Sequence, residues 1–116
     1  SYTRGFLADR RDAIVVDMGR MNRILEVNAE DGFVTVECGA TWKQLFDALA
    51  PLGLRTPFWG PLSGLRSTIG GAISQGAMFL GSGTAGAVGE SVLGLDVVLG
   101  DGRLARVGAH ANARGA

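Results

Sequence analysis

The stretch best suited to chemistry is residues 61–78, which hold glycines and hydroxyl side chains but no acid, histidine or cysteine. Thr68 is a residue type preferred at a helix N-cap, and Gly70 and Gly71 follow in what would be the first helical turn. Because neither glycine carries a side chain, we expect the first-turn N–H groups to be open to an anion. A diphosphate suits such a site. From these residues alone, a capped helix whose glycines serve only packing is the alternative.

The charges of the chain leave any bound anion dependent on local contacts. Residues 67–89 contain no charged side chain, and Arg66 is the only nearby cation, so binding would rest on backbone dipoles and hydroxyls. Over the whole chain 11 basic residues balance 11 acidic ones, and we therefore expect neither nucleic acid nor a membrane surface as a partner. The single cysteine, Cys38, excludes an internal disulfide and leaves too few soft ligands for a structural zinc site. We expect no metal.

Three strands are predicted before the first helix. Residues 13–18 form a β-branched run, which indicates a strand. Residues 24–28 and 33–37 each alternate apolar with polar side chains, and turn residues separate them. This pattern predicts a β-hairpin with one buried face.

A helix and a second hairpin complete the expected elements. Thr41 followed three residues later by Gln44 is a capping box, and apolar side chains at helical spacing then predict a helix over 41–52. Residues 95–99 and 103–107 flank an Asp-Gly turn signal. The order of elements predicts an α+β fold, mostly antiparallel strands and hairpins with helices on one side. Its 116 residues form one domain or part of one, and residues 108–116 are expected to be a frayed tail.

A glycine motif at residues 81–86 offers an alternative. Gly81 to Gly86 spells G-x-G-x-x-G, which would suggest a Rossmann-type NAD domain at 77–101 if a strand preceded it and a helix followed. Residues 77–80 make a short strand at best, and residues 87–89 are a weak helix start. The context therefore argues against this interpretation.

Several short motifs follow one another in a specific order between residues 13 and 107. They are Gly39-Ala40-Thr41 before Leu45 and Leu49, Gly53-Leu54, Pro57, Pro61 with Ser63, Thr68-Ile69-Gly70-Gly71, and Val92 to Leu99 with Asp101-Gly102. Together they resemble the p-cresol methylhydroxylase and vanillyl-alcohol oxidase family of FAD proteins. The resemblance implies an FAD-binding domain of two α+β subdomains with the cofactor between them. Residues 1–116 would be a partial domain, comprising the end of the first subdomain and much of the second.

The resemblance also implies the residues that contact FAD. Pro61 and Ser63 match the loop near the flavin and ribityl chain, the Thr-Ile-Gly-Gly segment contacts the cofactor through backbone and hydroxyl, and five further residues continue the flavin side. The expected cofactor-binding residues are Pro61, Ser63, Thr68, Ile69, Gly70, Gly71, Ser74, Gln75, Gly76, Ala77 and Met78. Where the family often has Arg-Tyr-Gly, this chain has Thr84-Ala85-Gly86, so contacts from those larger side chains are not expected. Residues 61–89 contain no His, Tyr or Cys, which favours non-covalent FAD.

The function expected from the resemblance is oxidation of a small alcohol or hydroxy acid by an FAD-dependent oxidoreductase. The catalytic groups would come largely from a substrate cap domain, so the expected partners are that cap and the remainder of the FAD domain. The chain alone would then expose apolar surface and strand edges, which favours self-association. No basic start followed by an apolar run is visible, so we expect a cytoplasmic location. The competing hypothesis is a non-enzymatic, glycine-rich α+β module.

Overall fold

Two antiparallel hairpins flank a set of short helices. The computed structural model describes residues 7–60 and 64–108. In chain order the elements are β1 (Ile24–Asn28), β2 (Phe33–Val36), α1 (Trp42–Leu49), a 3₁₀ turn (Ala50–Leu52), α2 (Ile69–Ser74), α3 (Ser82–Ala85), a second 3₁₀ turn (Val88–Ser91), β3 (Gly94–Val98) and β4 (Leu104–Gly108). Both sheets among the described residues are two-stranded, β1 with β2 and β3 with β4. The α+β class with antiparallel hairpins is confirmed.

The first hairpin forms where the alternating pattern predicted it. Val27 lies opposite Val34 and Asn28 opposite Phe33, with an irregularity between Ile24 and Glu26. The turn is closed by Asn28, whose Oδ1 accepts a hydrogen bond from the Asp31 N–H at 2.8 Å. Local side-chain acceptors of this kind are the reason that Asn favours turns.

Helix α1 begins at the predicted capping box. The Gln44 N–H donates to Thr41 Oγ1 at 3.2 Å, and the Thr41 N–H donates to Gln44 Oε1 at 2.9 Å. The 3₁₀ turn continues the helix to Leu52, and Gly53 ends it with a φ of 70°, a left-handed conformation that favours glycine. The predicted helix over 41–52 is confirmed as these two consecutive pieces.

The hydrophobic core lies between α1, α2 and the loops that follow them. Its buried members are Trp42, Leu45, Leu49, Phe58, Ile69, Ala72, Ala77 and Val88. The hairpin strands contribute half-buried side chains such as Val27 and Val34. The core therefore fixes α2 against α1, which is the arrangement that matters for the site.

The second hairpin also follows the prediction. The turn is held by Asp101, whose Oδ1 accepts from the Arg103 N–H at 3.1 Å, while Gly102 has a φ of 85°. Gly108 is the last residue of β4, so it belongs to the hairpin and not to the predicted tail. Residues 109–116 lie outside the described residues.

The predicted strand at residues 13–18 is wrong. The segment pairs with no other strand among the described residues, and Ile14 and Val16 are 89% and 72% exposed. A strand requires a hydrogen-bonded neighbour, and the apolar run alone does not supply one. The Rossmann interpretation of residues 77–101 is wrong as well. The residues immediately before α3 form no strand, since the isolated bridge from Leu80 to Trp59 is their one β pairing among the described residues. β3 pairs antiparallel with β4 rather than forming a parallel βαβ unit.

Within residues 7–60 and 64–108, no helix combines the length and the apolar content that a membrane crossing requires.

Candidate functional site

Thr68 is the N-cap of helix α2, as predicted. The Thr68 side chain accepts a hydrogen bond from the Gly71 N–H at 3.1 Å, and Thr68 itself has an extended backbone. This is the usual geometry of an N-cap, in which a side-chain oxygen satisfies one of the free N–H groups of the first turn. The helix is short and ends at Ser74.

The first-turn N–H groups of α2 are nevertheless not open to an anion. All four donate to acceptors within the chain: Ile69 to the Ala40 carbonyl at 2.8 Å, Gly70 to the Cys38 carbonyl at 2.8 Å, Gly71 to Thr68 Oγ1 at 3.1 Å and Ala72 to the Thr68 carbonyl at 3.1 Å. The expectation of an uncovered helix terminus is therefore wrong. The segment between β2 and α1 supplies two acceptors that the sequence alone did not reveal.

The starts of α1 and α2 lie side by side. Thr41 and Thr68 form an antiparallel bridge, and the Trp42 N–H donates to the Ser67 carbonyl at 3.2 Å. A Cβ atom on Gly70 would lie 2.7 Å from the Cys38 carbonyl oxygen, closer than normal contact allows. Gly70 is thus required for packing, as the alternative hypothesis proposed for both glycines.

The exposed side of α2 and the turn after it carry five of the predicted residues together. These residues, which we call the α2 strip, are Gly71, Ser74, Gln75, Gly76 and Met78. None is charged, and Met78 is 73% exposed. The side chains of Ser74 and Gln75 make no hydrogen bond to the part of the chain that the structure describes. The strip therefore presents free hydroxyl, amide and apolar groups beside bare glycine backbone.

The remaining predicted residues are placed differently. Ile69 and Ala77 are buried in the core, and the Ala77 carbonyl accepts from the Val88 N–H at 3.1 Å. Their side chains support the strip from beneath. Pro61 and Ser63 lie outside the described residues. The assignment of the whole set to the cofactor stays a prediction.

An ion pair anchors the segment that clamps α2. Glu37 accepts hydrogen bonds from Arg23 Nη2 at 2.7 Å and from the Arg23 N–H at 2.8 Å. These hydrogen bonds hold the pKa of the Glu37 carboxyl below its ordinary value. Glu37 immediately precedes Cys38, whose carbonyl accepts a hydrogen bond from the Gly70 N–H. The ion pair therefore fixes the start of the segment that holds α2 in place.

Aromatic side chains pack around the site. Phe58 is buried in the core. Trp59 packs edge-on against Phe46, with ring centroids 5.2 Å apart, at a cleft of about 330 Å³ that Arg55 and Leu80 also line. Trp42 is the first residue of α1. Its buried Nε1 has no acceptor among the described residues, a feature that spacing alone cannot signal.

Comparison with known proteins connects this geometry to a family. The sequence profile of the family described as "FAD binding domain" matches residues 1–108. The chain is 43% identical over 89 residues to a D-2-hydroxyglutarate dehydrogenase of Escherichia coli strain K12, covering 74% of this chain and 8% of that protein. It is 44% identical over 97 residues to the Pseudomonas putida KT2440 protein of the same name, covering 80% and 9%.

A shorter relative matches as well. An uncharacterized FAD-linked oxidoreductase of Escherichia coli strain K12, YgcU, is 30% identical over 96 residues, covering 83% of this chain and 20% of that protein. The chain thus spans less than a tenth of the two D-2-hydroxyglutarate dehydrogenases and a fifth of YgcU.

Proposed function

The chain belongs to the FAD binding domain family, and from that premise we propose that it is a portion of an FAD-dependent oxidoreductase acting on a 2-hydroxy acid and that its α2 strip faces the flavin. The observation that carries the proposal is the strip itself. It is exposed and uncharged, and its Ser74 and Gln75 side chains have no partner among the described residues. It begins three residues after Thr68, which caps α2.

The residues of the strip fit one part of FAD better than the other. The flavin ring and ribityl chain are neutral, and they match free hydroxyl and amide groups beside the bare backbone of Gly71 and Gly76. The diphosphate does not match, because the first-turn N–H groups of α2 are already used and residues 67–89 contain no cation. We therefore infer that other residues of the complete enzyme hold the diphosphate.

The chemistry divides between cofactor and protein. FAD, when bound, supplies the acceptor for a hydride from the substrate. The strip orients the flavin: Gly71 permits close approach to the backbone, Ser74 and Gln75 offer hydrogen bonds, and Met78 offers apolar contact. We propose that the FAD is non-covalent, since no His, Tyr or Cys occurs in residues 61–89. Denaturation with acid followed by centrifugation tests this: the yellow colour should stay in the supernatant, and colour in the pellet would contradict it.

The substrate class rests on the relatives. The names of two relatives specify D-2-hydroxyglutarate, a hydroxy acid. We propose a hydroxy acid as the substrate of this enzyme too. A cap domain would supply the substrate-binding groups, and other parts of the protein would complete the FAD domain. A cytoplasmic location and self-association of the isolated chain stay predictions.

The experiment uses the complete enzyme loaded with FAD and mixed anaerobically with one candidate substrate at a time. The set is D-2-hydroxyglutarate, its L enantiomer, D-lactate and a simple alcohol such as ethanol, and the readout is bleaching of the visible flavin absorbance. Saturable bleaching by a hydroxy acid and not by ethanol supports the proposal. Bleaching by ethanol alone would replace the substrate class. Purified enzyme that binds no FAD would overturn the proposed function altogether.

A further inference from the structure

Trp42 lies at the start of α1 and packs against both ends of the loop that precedes α2. A Cβ atom on Gly60 would collide with Trp42 Cδ1, and one on Gly64 would lie 2.7 Å from Trp42 Cβ. Both glycines are buried. The backbone on either side of residues 61–63 therefore rests directly on one side chain, with no room for another carbon atom.

The same indole also contacts the chain before that loop and after the α2 strip. Phe58 packs edge-on to it with ring centroids 6.5 Å apart, and Phe79 packs edge-on at 5.8 Å. Phe79 directly follows Met78, the last residue of the strip. A single side chain thus holds together the segments that enter and leave the α2 region.

The indole N–H adds a polar element to this packing. Nε1 of Trp42 is buried and has no acceptor among the described residues. It is bonded to Cδ1, the Trp42 atom nearest to the Cβ position of Gly60, so the N–H lies on the Gly60 side of the ring. A buried N–H without a partner is costly, and native structures rarely keep one that has no structural or functional role.

We propose that Trp42 is a positioning residue for the flavin site. It sets the separation of Gly60 and Gly64, and through Phe79 it fixes the end of the α2 strip, so that the backbone facing the flavin is arranged before the cofactor binds. Such preorganisation raises affinity because less order is lost on binding. Trp42 is 4% exposed and does not itself reach a ligand. The inference rests on the proposed placement of the flavin against the strip.

The test measures FAD affinity and stability separately in the complete enzyme after FAD removal. Trp42→Phe keeps an aromatic ring beside Gly60 but loses the N–H and the second ring of the indole, so the segments that pack against it are held less tightly. The variant should raise the FAD dissociation constant by roughly 2- to 10-fold, because the order that Trp42 provides in advance must then be gained when FAD binds. The control is Leu49→Ala, two turns along the same helix and also buried. It should lower the thermal midpoint of the apoenzyme at least as much, while its FAD affinity stays that of the wild type.

Gly60→Ala is a second variant that leaves Trp42 in place. Its methyl group would meet the indole and lie 2.7 Å from Ser67 Oγ, so it should displace the same backbone and weaken FAD binding in the same way. Wild-type affinity in both Trp42→Phe and Gly60→Ala would overturn the inference. It would also be overturned if Leu49→Ala lost FAD affinity in step with its stability. Failure of the wild-type enzyme to bind FAD would instead overturn the proposed function, and the inference with it.

Discussion

Gly70 makes a contact that an added methyl group would break. A Cβ atom there would lie 2.5 Å from Cys38 Cβ, 2.7 Å from the Cys38 carbonyl oxygen and 3.0 Å from Cys38 Cα. Two of these atoms are backbone, so no rotation of a side chain can relieve the overlap. The Gly70 N–H also donates to that same carbonyl, and movement of either segment would stretch this 2.8 Å hydrogen bond. We predict that Gly70→Ala loosens the attachment of α2.

The magnitude follows from two opposing effects. Overpacking a well-packed position costs about 1–3 kcal/mol. Replacing a helical glycine by alanine recovers about 1 kcal/mol of helix propensity. Because the clash involves backbone atoms, the upper half of the first range applies, and the net loss is about 1–2 kcal/mol. That corresponds to roughly 5- to 30-fold in the equilibrium between closed and locally open forms.

The assay is amide hydrogen exchange of the complete apoenzyme, read at the amides of Ala72 and Gln75, which are hydrogen-bonded within the α2 region. Gly83→Ala is the matched control, because Gly83 lies in helix α3 with nothing within 4 Å of its Cβ position. The control should leave exchange in α2 unchanged, whereas Gly70→Ala should speed it by the factor above. Equal exchange in the two variants would refute the reasoning that Cys38 and its neighbours clamp α2.

Three further variants separate cofactor contacts from structural ones. Gly71→Val should abolish FAD retention and leave the fold largely intact, because Gly71 is exposed and its Cβ position, 2.9 Å from Thr68 Oγ1, requires only the side chain that caps α2 to shift; full flavin content in the purified variant would contradict the site. Glu37→Gln should make the thermal midpoint less dependent on pH in the acid range. The lowered pKa of Glu37 contributes stability that is complete above about pH 4.3 and is lost as the pH falls below it. A variant whose thermal midpoints between about pH 3 and 6 match those of the wild type would disprove this. Cys38→Ala should cost stability modestly, since Cys38 is half-buried, and leave the flavin absorbance unchanged; loss of flavin without loss of fold would place the thiol at the cofactor.

Local signals in the sequence were enough to predict the elements that satisfy their own backbone. The capping box at Thr41, the Asn28 turn and the Asp101-Gly102 turn each involve residues two or three positions apart, and both hairpins and α1 formed where these signals lie. The segment at 13–18 failed because a strand depends on a neighbour distant in sequence, which an apolar run does not specify.

The difference between Gly70 and Gly71 could not be predicted for a similar reason. Both glycines follow Thr68 in the same motif, but only Gly70 packs against Cys38, in the segment that follows β2. The acceptors for the first-turn N–H groups, at Cys38 and Ala40, lie about 30 positions upstream in the printed sequence. Only the folded arrangement shows that α2 offers a neutral exposed face rather than an open helix terminus.

Hydrogen exchange of the complete enzyme with and without FAD tests the central claim most directly, because it reports on the strip without altering any residue. If the strip faces the flavin, adding FAD to the apoenzyme should slow exchange in peptides covering residues 71–78 well beyond any slowing in peptides covering the β1–β2 hairpin. Exchange in residues 71–78 that FAD leaves unchanged, or slows no more than in the hairpin, would contradict the placement of the flavin against the α2 strip.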